Sequence, residues 1–298
     1  MTTQIKHIVI SGGGPLIFNI YGALKQSNLS KIWSHDKIET YHATSAGAVI
    51  AAMMTLKYDW EELDNYLINR PWHTILNFNV LNIYDYYLNN GIVDEKFIYS
   101  MFAPLLKAKD IDMDVDLDTF RKITGATISI YATEYSTFVT HEFSADATPT
   151  VKLLDAVYAS MALPILCKPI KIEDKLYLDG GVFLNYPISK CMEKHHDCET
   201  ILGIKMHNVS KREDMNTDDL NMFSYMTTGI NILYDKIQMK DVNSDIKNIQ
   251  EIYISAVFDD MSSFFKLASS SEERKRAIER GYLDADALIV GNRLDKTD

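Results

Sequence analysis

The sequence predicts an α/β fold, with a mainly parallel sheet and helices on both faces. Three observations carry this. Short runs rich in β-branched residues, such as Ile5–Ile10, alternate with longer segments of helical periodicity. The loops richest in glycine and small polar residues fall just after such runs, where open α/β sheets hold their ligands. Neither an internal repeat nor a low-complexity linker interrupts the alternation over 298 residues. The length suffices for one large α/β domain or two small ones; the expectation is one over 1–298, with its core motifs in 5–190 and the helices and strands of 199–292 packed on it.

The elements follow in order. Ile5–Ile10 reads as a buried strand, ended by Gly12-Gly13-Gly14 and followed by a helix to about Lys25. Ile38–His42 is the next strand, and Ala48–Leu56 the next helix. Trp60, Leu63, Leu67 and Ile68 recur at helical spacing. The Tyr/Asn-rich stretch 76–90 reads as irregular and as the entrance to a site. Ala126–Thr133 and Thr137–Phe143 alternate about a short polar turn and predict a hairpin. Aspartates 110, 112, 114, 116 and 118 alternate with apolar residues, but calcium-loop chemistry fails at Val115 and Arg121, so a half-exposed strand or extended loop is expected. Leu153–Leu163 reads as a helix stopped by Pro164, and Lys175–Leu178 as a short strand. Thr200–Met206 and Glu251–Ala256 are two further strands, with long helices over 219–242 and 272–288. Ser270-x-x-Glu273 is a capping box opening the last of these.

Composition narrows the function. Hydrophobic residues make up 47 % of the chain, enough for a sizeable core. The formal net charge of −11 argues against general nucleic-acid binding and implies long-range repulsion from anionic bilayers. Three cysteines, Cys167, Cys191 and Cys198, argue against a disulfide framework and fit a reducing compartment. The run from Cys191 to Cys198, with His195 and His196, matches no common zinc spacing and reads as a helix end. No signal-peptide pattern opens the chain, and no apolar run approaches the roughly 20 residues that cross a bilayer. The expected location is cytoplasmic, with room for peripheral attachment to membranes.

Three short stretches carry chemistry. Ser45 lies in Ala43-Thr44-Ser45-Ala46-Gly47, between a strand and an apolar helix. A serine on such a corner is pushed out of the backbone as a nucleophile, or it caps the helix; both readings stand on the residues alone. Ser11-Gly12-Gly13-Gly14 can aim backbone N–H groups at an anion, or form a plain turn. The dinucleotide fingerprint fails at Ile17, and the Gly-Lys-Ser/Thr of a phosphate loop is absent. An oxyanion hole asks only for convergent N–H donors. Asp179-Gly180-Gly181 ends a strand; by itself it is a common turn.

In this order and spacing, the three stretches resemble the patatin-like phospholipase family. The resemblance also takes in Gly22-Ala23-Leu24, Asp155 to Ser160, Ala162-Leu163-Pro164, Asn185-Tyr186-Pro187 and the tail around Gly281-Tyr282. It implies a three-layer α/β/α patatin-like fold. It implies a Ser–Asp dyad, with Ser45 as nucleophile, Asp179 as base and the amides of Gly12, Gly13 and Gly14 around the oxyanion. Gly47, Gly180 and Gly181 are the supporting positions. The implied reaction is cleavage of a fatty-acyl ester through an acyl-serine, on lipid at a membrane or micelle surface, with no metal or cofactor.

The chain departs from the family pattern near the site. Leu16 and Ile17 stand where a cation and a glycine are usual, and Ala43 stands two residues before the serine where glycine is usual. A catalytically impaired lipid- or acyl-binding protein is therefore the rival reading, and a nucleotide-binding protein a weaker third. The base also has an alternative: His207 follows both Ser45 and Asp179 and would complete a hidden triad, with His195, His196 and His42 weaker candidates.

Overall fold

The computed structural model describes residues 4–76, 91–206, 229, 249–255 and 261–294. Its centre is an eight-stranded sheet made of β1 (His7–Ile10), β2 (Thr40–Thr44), β3 (Thr127–Glu134), β4 (Val139–Phe143), β5 (Ile170–Ile172), β6 (Lys175–Asp179), β7 (Ile201–Met206) and β8 (Gln250–Ile254). The order across the sheet is β5-β6-β3-β2-β1-β7-β8, with β4 paired to β3. The pairs β1–β2, β1–β7, β2–β3 and β7–β8 are parallel. The pairs β3–β4, β3–β6 and β5–β6 are antiparallel. The α/β expectation is thus met, with an antiparallel margin at one side.

The helices are α1 (Ile17–Leu29), α2 (Ala46–Thr55), α3 (Trp60–Asn69), α4 (Trp72–Leu76), α5 (Lys96–Ala108), α6 (Leu117–Thr124), α7 (Leu153–Ser160), α8 (Ile188–Lys194), α9 (Met261–Ser269) and α10 (Ser271–Leu294). The two faces of the sheet differ in chemistry. One carries Ile8, Ile10, Ala43, Ile130, Leu202, Ile204 and Ile252, all fully buried in the main core with α1, α2 and α7. The other carries Val9, which packs with Ile188 and Cys191 of α8, beside His7, Thr40, His42, Ser129 and Tyr131. Strand periodicity of two sorts the apolar and polar residues in this way.

That second face is held by hydrogen bonds. His7 Nδ1 lies 2.8 Å from Thr40 Oγ1, and His42 Nδ1 lies 2.9 Å from Tyr131 OH. The rings of His7 and His195 stack at 3.7 Å. Burial, with His195 alongside, pushes His7 down to about 4. Burial pushes His42 down to about 3. Both rings are neutral near pH 7, because a desolvated imidazolium has lost its water.

Helices α1 and α10 cross in close contact at two glycines. A Cβ on Gly22 would stand 2.1 Å from the Ile278 carbonyl oxygen, and one on Gly281 would stand 2.1 Å from that of Asn19. Arg274, on the first turn of α10, is buried. Its guanidinium donates to the carbonyls of Ile68 at 2.6 Å and Leu267 at 2.6 Å, satisfying the ends of α3 and α9. Ser270 Oγ accepts the Glu273 N–H at 3.3 Å, one half of the capping box that the sequence predicted, while the Ser270 N–H goes to the Lys266 carbonyl.

Several boundaries differ from expectation. The second strand starts at Thr40 rather than Ile38, because residues His35–Lys37 form a 3-10 turn that delivers the chain to it. The helix expected to reach Leu163 stops at Ser160; a residue before proline is disfavoured in helical conformation. Of the two readings of the alternating aspartates, the loop is the one found: those before α6 lie in loop and turn rather than strand, and Asp116 caps α6 by accepting the Thr119 N–H at 2.7 Å. Short aspartate side chains satisfy local amides, which favours turns and caps over strand. The Cys191–Cys198 run spans the end of α8 and a 3-10 turn, as expected of a helix end. The expected entrance over 77–90, the helix over 219–242 apart from Gly229, and His207 lie outside the described residues.

Candidate active site

Strand β3 brings the two ends of the site together. Along one of its edges runs β2, with Thr44 opposite Tyr131. Tyr131 also faces Glu142 of β4, so β4 must occupy the opposite edge. Ala132 faces both His141 of β4 and Asp179 of β6, which places β6 on the same edge as β2. The two strands thus meet on consecutive residues of β3: β2 ends at Thr44, and β6 arrives antiparallel and ends at Asp179. Ser45 and Asp179, 134 positions apart in the chain, are neighbours in space.

Ser45 has φ +53° and ψ −124°, a backbone conformation that costs a non-glycine residue on the order of 1–3 kcal/mol. The chain turns there from β2 into α2. The strain falls on Ser45; Ala43 lies inside regular β2 and is fully buried, so no glycine is needed at that position. Gly47 is where the corner admits no side chain. A Cβ there would stand 2.6 Å from the carbonyl oxygens of both Ile10 and Ser11. The absence of that atom lets α2 start against the end of β1.

The Ser45 hydroxyl donates to Asp179 Oδ2 at 2.7 Å. The other carboxylate oxygen, Oδ1, accepts the Gly181 N–H at 2.6 Å. Asp179 is 6 % exposed. Burial pushes its carboxyl up to about 6, against the Ser45 hydroxyl and the Gly181 N–H, which both favour the charged form. Gly180 opens the 3-10 turn after Asp179, and its carbonyl accepts the Leu184 N–H at 2.9 Å.

Of the three glycines expected around an anion, Gly12 donates its N–H to the Asn185 carbonyl at 3.0 Å. The Asn185 amide donates back to the Gly12 carbonyl at 3.3 Å. This exchange ties the glycine loop to the segment that carries Asp179. The amides of Gly13 and Gly14 have no hydrogen-bond acceptor among the described residues. Leu16 and Ile17, which replace the usual cation and glycine, are partly buried and pack on the main core.

Ser160 and Thr44 lie within stretches that carry the resemblance, but the contacts they make at the site are not written in the sequence. The Ser45 N–H is donated to Ser160 Oγ at 2.8 Å, and the Ser160 hydroxyl donates in turn to the Tyr131 carbonyl at 2.6 Å. Thr44 Oγ1 donates to the Leu184 carbonyl at 2.9 Å. These bonds hold the strained corner to α7 and to the loop after β6. Among the described residues, no histidine hydrogen-bonds to Ser45 or Asp179. His42 is committed to Tyr131, His195 stacks on His7, and His196 is exposed.

Ser45, on its strained strand–helix corner, is thus bonded to a buried carboxylate close to the glycine loop, whose Gly13 and Gly14 amides have no acceptor among the described residues. The patatin-like phospholipase family model matches residues 8–192, and the chain belongs to that family. A protein of Acanthamoeba polyphaga mimivirus, named uncharacterized protein R571, is 28 % identical over 212 residues, covering 71 % of this chain and 69 % of that one. The protein named probable lipid hydrolase 463L from Invertebrate iridescent virus 6 is 25 % identical over 193 residues, covering 64 % of each chain. Among solved structures, VipD from Legionella pneumophila superposes with a TM-score of 0.55 at 14 % identity, covering 97 % of this chain and 67 % of that one, a likeness of fold. No helix among the described residues is long and apolar enough to cross a membrane.

Proposed function

We propose that the protein is a serine lipid acyl hydrolase that cleaves fatty-acyl esters through an acyl-serine held by a Ser45–Asp179 dyad. The observation that carries this is the 2.7 Å bond from the Ser45 hydroxyl to Asp179, made at a residue with φ +53°. The relative named a probable lipid hydrolase supports the substrate class.

In the first step Asp179 takes the Ser45 proton as Oγ adds to the ester carbonyl. The oxyanion that forms is met by the amides of Gly13 and Gly14; the Gly12 amide braces the loop through Asn185. Asp179 then gives the proton to the departing alcohol, leaving the acyl group on Ser45. Water repeats the sequence in reverse and releases the fatty acid. A carboxylate with an ordinary pKa near 4 is a weak base for this purpose, and the burial that raises Asp179 to about 6 brings it closer to the working pH. The described residues place no histidine on the dyad, which favours the two-residue base arrangement over a triad through His195, His196 or His42.

An alkyl fluorophosphonate offered at neutral pH is expected to modify the protein stoichiometrically, with the adduct mapped by peptide mass to Ser45. A wild-type protein that stays unmodified under conditions that label an ordinary serine esterase would overturn the reading in favour of an impaired lipid-binding protein.

Ser160 is a positioning residue under this reading. Ser160→Ala strands the buried Ser45 N–H and is expected to cost about 1–3 kcal/mol of stability. Its turnover number should fall roughly tenfold with KM unchanged, because substrate contacts stay and the nucleophile loses its alignment. A change confined to KM would be the contrary result.

A further inference from the structure

The β3–β4 hairpin ends in an apolar tip next to the dyad. Its loop is Tyr135-Ser136-Thr137-Phe138, and Val139 opens the returning strand. Tyr135, Phe138 and Val139 are 51 %, 49 % and 54 % exposed, and Leu176 on the adjoining β6 is 40 % exposed. The Tyr135 and Phe138 rings lie 5.9 Å apart, and Phe138 meets Phe183 edge-on at 6.0 Å. Phe183 is four residues beyond Asp179, and the Tyr135 N–H donates to the Leu176 carbonyl at 2.9 Å. The tip is therefore continuous with the strand and turn that carry the dyad carboxylate. From Ala132, which faces Asp179, the chain runs three residues further to Tyr135, roughly 10 Å at the rise of an extended chain.

Two features are unexplained by folding. Phe138 has φ +54°, a left-handed conformation that favours glycine or asparagine in a hairpin turn. A bulky aromatic there is strained and yet half exposed, so its own packing does not account for it. The lysines around the tip are also neutralised: Lys175 pairs with Glu134 at 2.8 Å and Lys171 with Asp174 at 2.6 Å. On a chain of net charge −11, this leaves an apolar tip without a cationic collar among the described residues.

We infer that this hairpin tip is the docking surface for a zwitterionic lipid interface, inserting Phe138 and Val139 with the Tyr135 ring at headgroup depth, so that the dyad faces the lipid it acts on. Aromatic rings with one polar end suit that depth, and an uncharged tip on an acidic protein suits a neutral bilayer rather than an anionic one. The lipid class rests on the hydrolase reading above.

The experiment is cosedimentation with phosphatidylcholine vesicles, run beside hydrolysis of a water-soluble short-chain ester. Wild-type protein is expected to bind the vesicles equally at low and high salt. Phe138→Asp is expected to weaken binding at least tenfold while soluble-ester hydrolysis stays within twofold. Phe138→Gly guards against a folding artefact: it removes the ring and relieves the strained turn, so binding should fall while Tm rises. Vesicle binding unchanged in both variants, a wild type that does not bind, or a Phe138-dependent dimer in its place would overturn the inference. A wild type that binds through Phe138 but hydrolyses neither soluble nor vesicle ester would uphold the docking surface and sink the hydrolase reading alone.

Discussion

Asp179→Asn is expected to abolish hydrolysis and stabilise the fold at once. The activity loss should be roughly ten-thousand-fold, the upper range for a positioned general base, because an amide cannot accept the Ser45 proton. The stability gain has a separate origin. Raising a buried carboxyl from an ordinary value to about 6 means that its ionised form is disfavoured in the native state by about 3 kcal/mol. Between about pH 4 and 6, the native protein keeps a proton that the unfolded chain has already released. Stability therefore falls as pH rises through that window, and the loss persists at pH 7. The asparagine side chain avoids the charge, can accept from Gly181 N–H through its oxygen, and can donate to Ser45 Oγ. Allowing for the weaker neutral hydrogen bonds, a net gain of about 1–2 kcal/mol is expected. Wild-type kcat/KM should rise with pH along a titration near 6. Wild-type Tm, measured relative to that of the Asp179→Asn variant at each pH, should fall over the same range. A variant that keeps a tenth of wild-type turnover, or a flat wild-type pH profile from about 4.5 to 8, would count against Asp179 as the base.

Gly22→Ala and Gly281→Ala are each expected to destabilise the protein by about 3 kcal/mol. In an exposed helix the same change would stabilise by about 1 kcal/mol, since alanine has the better helix propensity. Here the added methyl would stand 2.1 Å from a backbone carbonyl oxygen of the opposing helix in either case. Backbone cannot rotate aside as a side chain can, so α1 and α10 must separate, and overpacking costs of this kind run to about 1–3 kcal/mol or more. The clash outweighs propensity. Once one methyl has forced the helices apart, the second finds part of the space already opened. The double variant should therefore lose less than the sum of the singles in chemical denaturation. Strict additivity, or single variants at least as stable as wild type, would show that the crossing is looser than described.

The sequence made the parallel part of the sheet legible because buried β-branched runs such as Ile5–Ile10 and Thr200–Met206 have few other uses. The glycine loop, the serine corner and the Asp-Gly-Gly turn were legible as stretches through the family resemblance. How they meet was not. The attachment of β6 to the β3 edge where β2 stops depends on pairings between segments about 50 and 90 residues apart, which no local periodicity encodes. The same holds for Ser160, one hydroxyl at the end of an alanine-rich helix, whose use emerges only when Ser45 and Tyr131 are placed beside it. That the Asn185 carbonyl occupies the Gly12 amide was hidden too, because the two residues are far apart in the chain. Of the two readings of the alternating aspartates the strand fails and the loop holds, since capping and turn formation satisfy them locally.

The handover on β3 makes that strand a ruler for the spacing of Ser45 and Asp179. Thr44 and Asp179 sit opposite consecutive residues, Tyr131 and Ala132. Inserting or deleting one residue there would change which side of the sheet one of the two segments presents, since side chains alternate along a strand. Loops elsewhere can grow or shrink without touching this spacing, whereas a change of length in β3 between those two positions alters it directly.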